Sequence, residues 1–196
     1  MTIDECESCR RILAEHEDND KLADILEDKH PRCSCQAHTV GEGSPGPVVD
    51  SEILFRIIVS PRDIDPVSGH ILERPFEKAF KNGLSVCRSL ATDNDILALT
   101  EGGQTLMICT ASTETVRSVY DRFGEQVFCI YDQTVKRENP DQPPVPTHAG
   151  VFCRRPPRGT VARTKLQKDF AGKLRELFIT NQIPVSQFRN GILSSE

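Results

Sequence analysis

Apolar positions along the chain follow two patterns, with a stretch between them that has neither. In residues 1–40, Ile12 and Leu13 lie within 10–17, and Leu22, Ile25 and Leu26 recur at helical spacing within 20–29. Two short helices are predicted there, with Asp18-Asn19 as the turn. Gly41-Glu42-Gly43-Ser44-Pro45-Gly46-Pro47 then reads as a linker, because glycine loosens the backbone and proline blocks regular pairing.

From Val48 onward strands and helices are mixed. Ile53 to Val59 is the clearest strand, and Pro61 to Gly69 is loop. Pro75 opens a short helix that Asn82-Gly83 stops, and Leu84 to Arg88 is a short strand. Thr92 to Asp95 caps a helix carrying Ile96, Leu97 and Leu99. Thr105 to Thr110 is a strand, and Ser112 caps a helix with Val116, Val119 and Tyr120. A long strand over Gln126–Val135, a proline-rich loop over 136–147 and a strand over His148–Arg154 follow. Thr164 and Gln167 form a capping box for a last helix, whose stripe is Phe170, Leu174, Leu177 and Phe178, with Asn181 as its stop. The pattern predicts an α/β or α+β domain over 48–196, a mixed sheet with packed helices, preceded by a small helical cysteine-rich segment of zinc type over 1–40 and joined to it by 41–47.

Composition narrows the function classes. Of 196 residues, 37% are hydrophobic and 27% charged, enough apolar material for a core and too much for a disordered chain. A net charge of −5 argues against a uniformly basic nucleic-acid surface. The charge is uneven: acids crowd residues 1–30, whereas 154–175 carry Arg154, Arg155, Arg158, Arg163 and four further bases against Asp169 alone. No apolar run approaches the roughly 18–20 residues that span a bilayer, and the start MTIDECESC lacks the apolar core of a signal peptide. A cytoplasmic protein with reduced cysteines and no membrane is expected.

Reduced cysteines point to metal binding or burial. Cys6 and Cys9 form a C-x-x-C, and Cys33 and Cys35 a C-x-C. An antiparallel helical hairpin brings the start of its first helix beside the end of its second, so the two pairs are expected to hold a structural zinc, with His30 or His38 able to replace a thiolate. A segment of this size needs such a staple. Cys87, Cys109, Cys129 and Cys153 each lie in a predicted strand and are expected in the core.

The candidate chemistry of the second segment rests on polar residues within strands. Arg56 interrupts an apolar strand and by alternation shares a face with Leu54 and Ile58. Buried, it needs an acid or an anion. Its weightier expected partner is a carboxylate of the same chain, such as Asp63, Asp65 or Asp132. The alternative places Arg56, Ser85, Asp132 and His148 in one pocket at the strand ends: Arg56 grips an anion, His148 serves as acid or base and Ser85 orients a substrate. Arg154, Arg155, Arg158 and Arg163, just before a helix N-terminus, are the further anion candidates. No dinucleotide or Walker glycine pattern occurs. Two functions result: a zinc-binding interaction or regulatory protein whose α/β domain contacts a protein partner, or a small enzyme acting on a nucleotide or RNA phosphate through Arg56, His148 and the basic stretch 154–163.

Overall fold

The run Ile-Leu-Phe-Arg-Ile-Ile-Val forms strand β1 (Ile53–Ser60), and its lack of strict alternation has a direct cause: both faces of the strand are covered. In the computed structural model, residues 3–16, 19–30, 35–92, 95, 104–135, 145–153 and 163–184 are described, without the side chains of 3–6, 104–106, 163, 164 and 184. Further strands are β2 (Leu84–Arg88), β3 (Gln104–Ser112), β4 (Phe128–Asp132), β5 (His148–Cys153) and β6 (Asn181–Pro184). The helices are α1 (Ile3–Glu15), α2 (Leu22–Lys29), α3 (Thr113–Arg117) and α4 (Arg163–Ile179), with 3₁₀ turns at Cys35–Ala37 and Arg74–Phe80.

The architecture is α+β. Six strands form one sheet in the order β4-β5-β2-β1-β3-β6, and every pairing among them is antiparallel. The expected mixed sheet is therefore corrected. Among the described residues no helix returns the chain to a parallel neighbour. The long helix α4 instead links β5 to β6, on opposite sides of β1. Asn181, expected as a helix stop, starts β6 opposite Thr110.

One face of the sheet carries the main core. Leu54, Ile58, Leu84, Val86, Ile130 and Val151 pack there with Phe76 of the second 3₁₀ turn and with Ala171, Leu174 and Phe178 of α4. The apolar stripe predicted for the last helix thus meets the sheet. On the other face, Phe55, Ile57, Val59, Cys87 and Ile108 form one cluster, and Cys129, Tyr131 and Phe152 another. The second cluster is completed by Cys9, Ile12, Leu13, Leu22, Leu26 and Cys35, so the N-terminal hairpin packs onto β4 and β5. Gln36 also satisfies an edge: its Oε1 accepts the Ile130 amide at 2.9 Å. Cys87, Cys109, Cys129 and Cys153 are all buried, as their strand positions predict.

The stretch that reads as a linker is bonded throughout its length. Gly41 N–H donates to Asp132, Thr134 Oγ1 donates to the Glu42 carbonyl, and Ser44, Gly46 and Pro47 all accept from Arg88. Arg88 is 2% exposed and is saturated. Its Nε and Nη2 grip both oxygens of Glu52 at 2.8 and 2.7 Å, and its Nη1 reaches Asp132 at 2.7 Å. Burial pushes the Glu52 carboxyl up, but the Arg88 hydrogen bond, the Val49 amide and the Arg88 charge outweigh it and hold the group below its ordinary value.

Removing this cation strands two buried carboxylates. Arg88→Met is expected to cost roughly 3–5 kcal/mol in urea unfolding, the range for breaking a buried pair by deleting one partner. A loss below about 1 kcal/mol would show that water or another group replaces the guanidinium.

Candidate functional site

The β1–β2 ladder is short, and the site lies where it ends. Leu54 pairs with Arg88 and Phe55 with Cys87, and no further rung forms although both strands continue. Beyond that point a cleft of about 30 Å³ separates them, lined by Phe55, Arg56, Ile57, Val59, Arg62, Ser85, Val86 and Cys87. That is room for about one water-sized polar group. On the other side of β1 the pairing with β3 slips between Ile58 and Val59, which bends the end of the strand. Gly83 sets the start of β2: its φ is +94°, and a Cβ there would stand 2.6 Å from the Phe152 ring.

Arg56 is the central side chain. It is 6% exposed, and its Nη1 donates to the Ser85 carbonyl at 2.9 Å, an acceptor left over by the interrupted ladder. Its Nε is buried and has no partner. Among the described residues no carboxylate comes within 4.0 Å of the guanidinium. The expected internal ion pair is therefore corrected. Asp132 belongs to Arg88, Asp65 accepts the amides of its own turn, and Asp63 accepts the Val59 amide and both Nε and Nη2 of Arg62. Burial lowers the Arg56 pKa, with the charge of Asp63 opposing it.

Ser85 and His148 join the site as the sequence predicts. Strand β5 places His148 opposite Cys87 and Gly150 opposite Ser85. The Ser85 hydroxyl lies 2.7 Å from His148 Nε2, and His148 Nδ1 lies 2.7 Å from the Gln133 carbonyl. A carbonyl only accepts, so Nδ1 carries the proton, Nε2 offers its lone pair, and the Ser85 hydroxyl donates to it. The arrangement has the outline of a serine–histidine dyad, but its electrostatics are those of a positioning device. Burial pushes His148 down to about 4, the Gln133 bond opposes this only in part, and the Arg56 charge adds to it. Among the described residues no carboxylate backs the ring. An imidazolium there would stand buried beside a guanidinium, which opposes the acid role expected for His148 and weakens its base role. Its role is to fix the Ser85 rotamer, while half-buried Ser85 lines the cleft.

Asp132, the fourth expected member, is not part of this pocket. Sequence reasoning named Asp63 only as a partner for Arg56, and it passed over Arg62, which lines the cleft, and Arg88. A signal existed for Arg62 and Asp63, since they directly follow the apolar strand. Of the anion candidates, Arg154, Arg155 and Arg158 lie outside the described residues, and Arg163 opens α4 with its side chain undescribed. Burial pushes the Cys87 thiol to about 12, so this cleft cysteine is no nucleophile.

At the proposed metal centre, Cys9 and Cys35 are both fully buried in one cluster. The side chain of Cys6 and all of Cys33 lie outside the described residues. Among the described residues no three His, Cys, Asp or Glu side chains gather as a metal site. His30 Nε2 lies 2.9 Å from Ser8 Oγ, and His38 is exposed. Among the described residues no helix is long and apolar enough to cross a membrane. No protein-family model matches the chain, and no curated protein or solved structure is significantly similar to it.

The depressed pKa of His148 gives a pH dependence of known sign. Between pH 6.5 and 4 the unfolded chain binds a proton that the folded chain refuses. This contribution is complete above pH 6.5 and is lost as the pH falls toward 4, up to about 3 kcal/mol. Urea unfolding at pH 7 and pH 4.5 should show a smaller acid loss in His148→Gln than in the parent. Equal losses would mean that the ring is protonated in the fold.

Proposed function

We propose that the chain is a small enzyme acting on a nucleotide or RNA phosphate, with the anion held by Arg56 in the cleft between β1 and β2. One observation carries this reading: a nearly fully buried guanidinium with an unpartnered Nε and no carboxylate in contact among the described residues. An unpaired buried charge costs several kcal/mol and persists where function needs it. Ser85 supplies a second polar contact, fixed by His148. The register adds support. The ends of β1 and β5 and the start of β2 lie at one end of the sheet, and the sequence continues from Cys153 of β5 into Arg154 and Arg155. With no activated nucleophile among the described residues, catalysis rests on positioning and charge stabilisation.

Arg56→Met is expected to separate binding from folding. The parent should gain several degrees of thermal stability from at least one member of a panel of mononucleotides, dinucleotides and a short single-stranded RNA, as saturating ligand stabilises by about 2.7 kcal/mol at a hundredfold excess over Kd. The variant should lose that gain, while its own unfolding free energy stays within about 1 kcal/mol of the parent. A large intrinsic destabilisation with unchanged ligand response would return Arg56 to a structural role.

A second reading, a zinc-stapled interaction protein with a protein partner, draws on the burial of Cys9 and Cys35 in one cluster and on the contact of Ser8 with His30. It leaves the cleft reading intact. Elemental analysis of untagged protein is expected to find about one structural zinc per chain, lowered in Cys9→Ser and Cys35→Ser. Metal-free protein whose Cys6 and Cys33 alkylate freely would end this reading.

A further inference from the structure

Two buried carboxylates flank the strand that carries Arg56, and they differ in what they neutralise. Glu52 at its start is consumed by Arg88. Asp63, just past its end, is 2% exposed and is held by the Val59 amide at 3.1 Å and by Arg62 at 2.9 and 3.1 Å. Val59 and Arg62 both line the cleft, so Asp63 is held by two of its lining residues at the β1 end without lining it itself. The carboxyl stays ionised: burial pushes it up, but the Arg62 and Val59 hydrogen bonds and the Arg56 charge bring it below its ordinary value.

The charges around the cleft therefore sum to one. Arg56 and Arg62 are cations in its wall, and Asp63 offsets one of them. His148 is neutral, and burial keeps the Cys87 and Cys109 thiols protonated. Lys78 feels both guanidiniums but does not line the cleft and is solvent-exposed. One ligand oxygen fits so small a slot and sheds most of its water there, with the rest of the group at the mouth, and each charge beyond the compensated one is penalised.

We propose that Asp63 is a specificity-determining residue that limits the Arg56 cleft to singly charged anions, so that a phosphodiester is accepted in preference to a doubly charged phosphomonoester. This rests on the reading of the cleft as a phosphate site and deepens it. Arg62 acts as the counterweight to Asp63: it offsets the carboxylate without presenting a second unpaired cation to the ligand. Because a monoester loses its second proton with a pKa of about 6, the two ester classes differ by one charge at pH 8.

The test uses adenosine 5′-monophosphate and its methyl diester, titrated at pH 8 into full-length protein. The readout is the Arg56 Nε–Hε NMR resonance, assigned by its loss in Arg56→Lys. The diester is expected to bind about tenfold tighter than the monoester, in line with one uncompensated charge at close range. Asp63→Asn, which keeps an acceptor for the Val59 amide, should erase or invert that preference. Arg62→Gln, at a side chain that is mostly exposed and with an amide in place of the guanidinium to donate to Asp63, serves if Asp63→Asn fails to fold. It should widen the preference, because it removes a cation and leaves Asp63 in place. A monoester preference in the parent, or ratios unchanged in the variants, overturns the role of Asp63 and leaves the phosphate site standing. No response of the Arg56 resonance to either ester overturns both.

Discussion

The Arg88 cluster is the constraint on which the remaining geometry depends. One guanidinium, without access to water, holds Glu52 before β1, Asp132 at the end of β4 and three residues of the 41–47 stretch. Its own Cα sits opposite Leu54, at the rung next to the last one formed by the β1–β2 ladder. The paired end of that ladder and the path of the chain from the hairpin into the sheet are thus fixed by one side chain. The arrangement is costly to assemble, since three charges lose water, and costly to break for the same reason.

Two buried arginines on neighbouring strands make the contrast that defines the molecule. Arg88 uses every arm of its guanidinium, whereas Arg56 bonds one carbonyl and leaves Nε unsatisfied. The difference follows from the ladder. Where β1 and β2 pair, backbone groups satisfy one another and carboxylates are at hand for the side chain. Where they part, the Ser85 carbonyl needs a donor and finds Arg56. The splayed strands open a slot between a cation and a fixed hydroxyl, with an acid–base pair behind it. Antiparallel neighbours that separate at one end provide such a slot without a dedicated loop.

His148 shows how environment decides a role that residue type leaves open. Paired with a serine and oriented through Nδ1, it has the geometry of a general base. Burial and a nearby arginine depress its basicity, and the group behind it is a carbonyl instead of a carboxylate. The dyad therefore orders Ser85 without activating it. The same reasoning sets Asp63 apart from Glu52 and Asp132, because its charge acts on Arg56 although Arg62 is its bonded partner.

The sequence by itself determined the local elements and the unusual residues. The apolar run of β1, the proline-led 3₁₀ turn, the Ser112 cap and the stripe of α4 follow from period and capping chemistry, which act over a few residues. So did the suspicion that Arg56, Ser85 and His148 matter, since a polar group inside an apolar strand is anomalous before any fold is known. What surrounds each of them was decided by tertiary structure alone. Arg56 and Asp132 look equally in need of a partner in sequence, and pairing between distant segments gave Asp132 to Arg88 and left Arg56 without a carboxylate among the described residues. The 41–47 stretch has the composition of a free linker, yet its carbonyls and amides are what Arg88 and Asp132 bind. The strand order, the antiparallel sense and the sixth strand depend on which hydrogen-bonding edges meet. Those contacts join residues as far apart as Met107 and Pro184, and no local pattern encodes them.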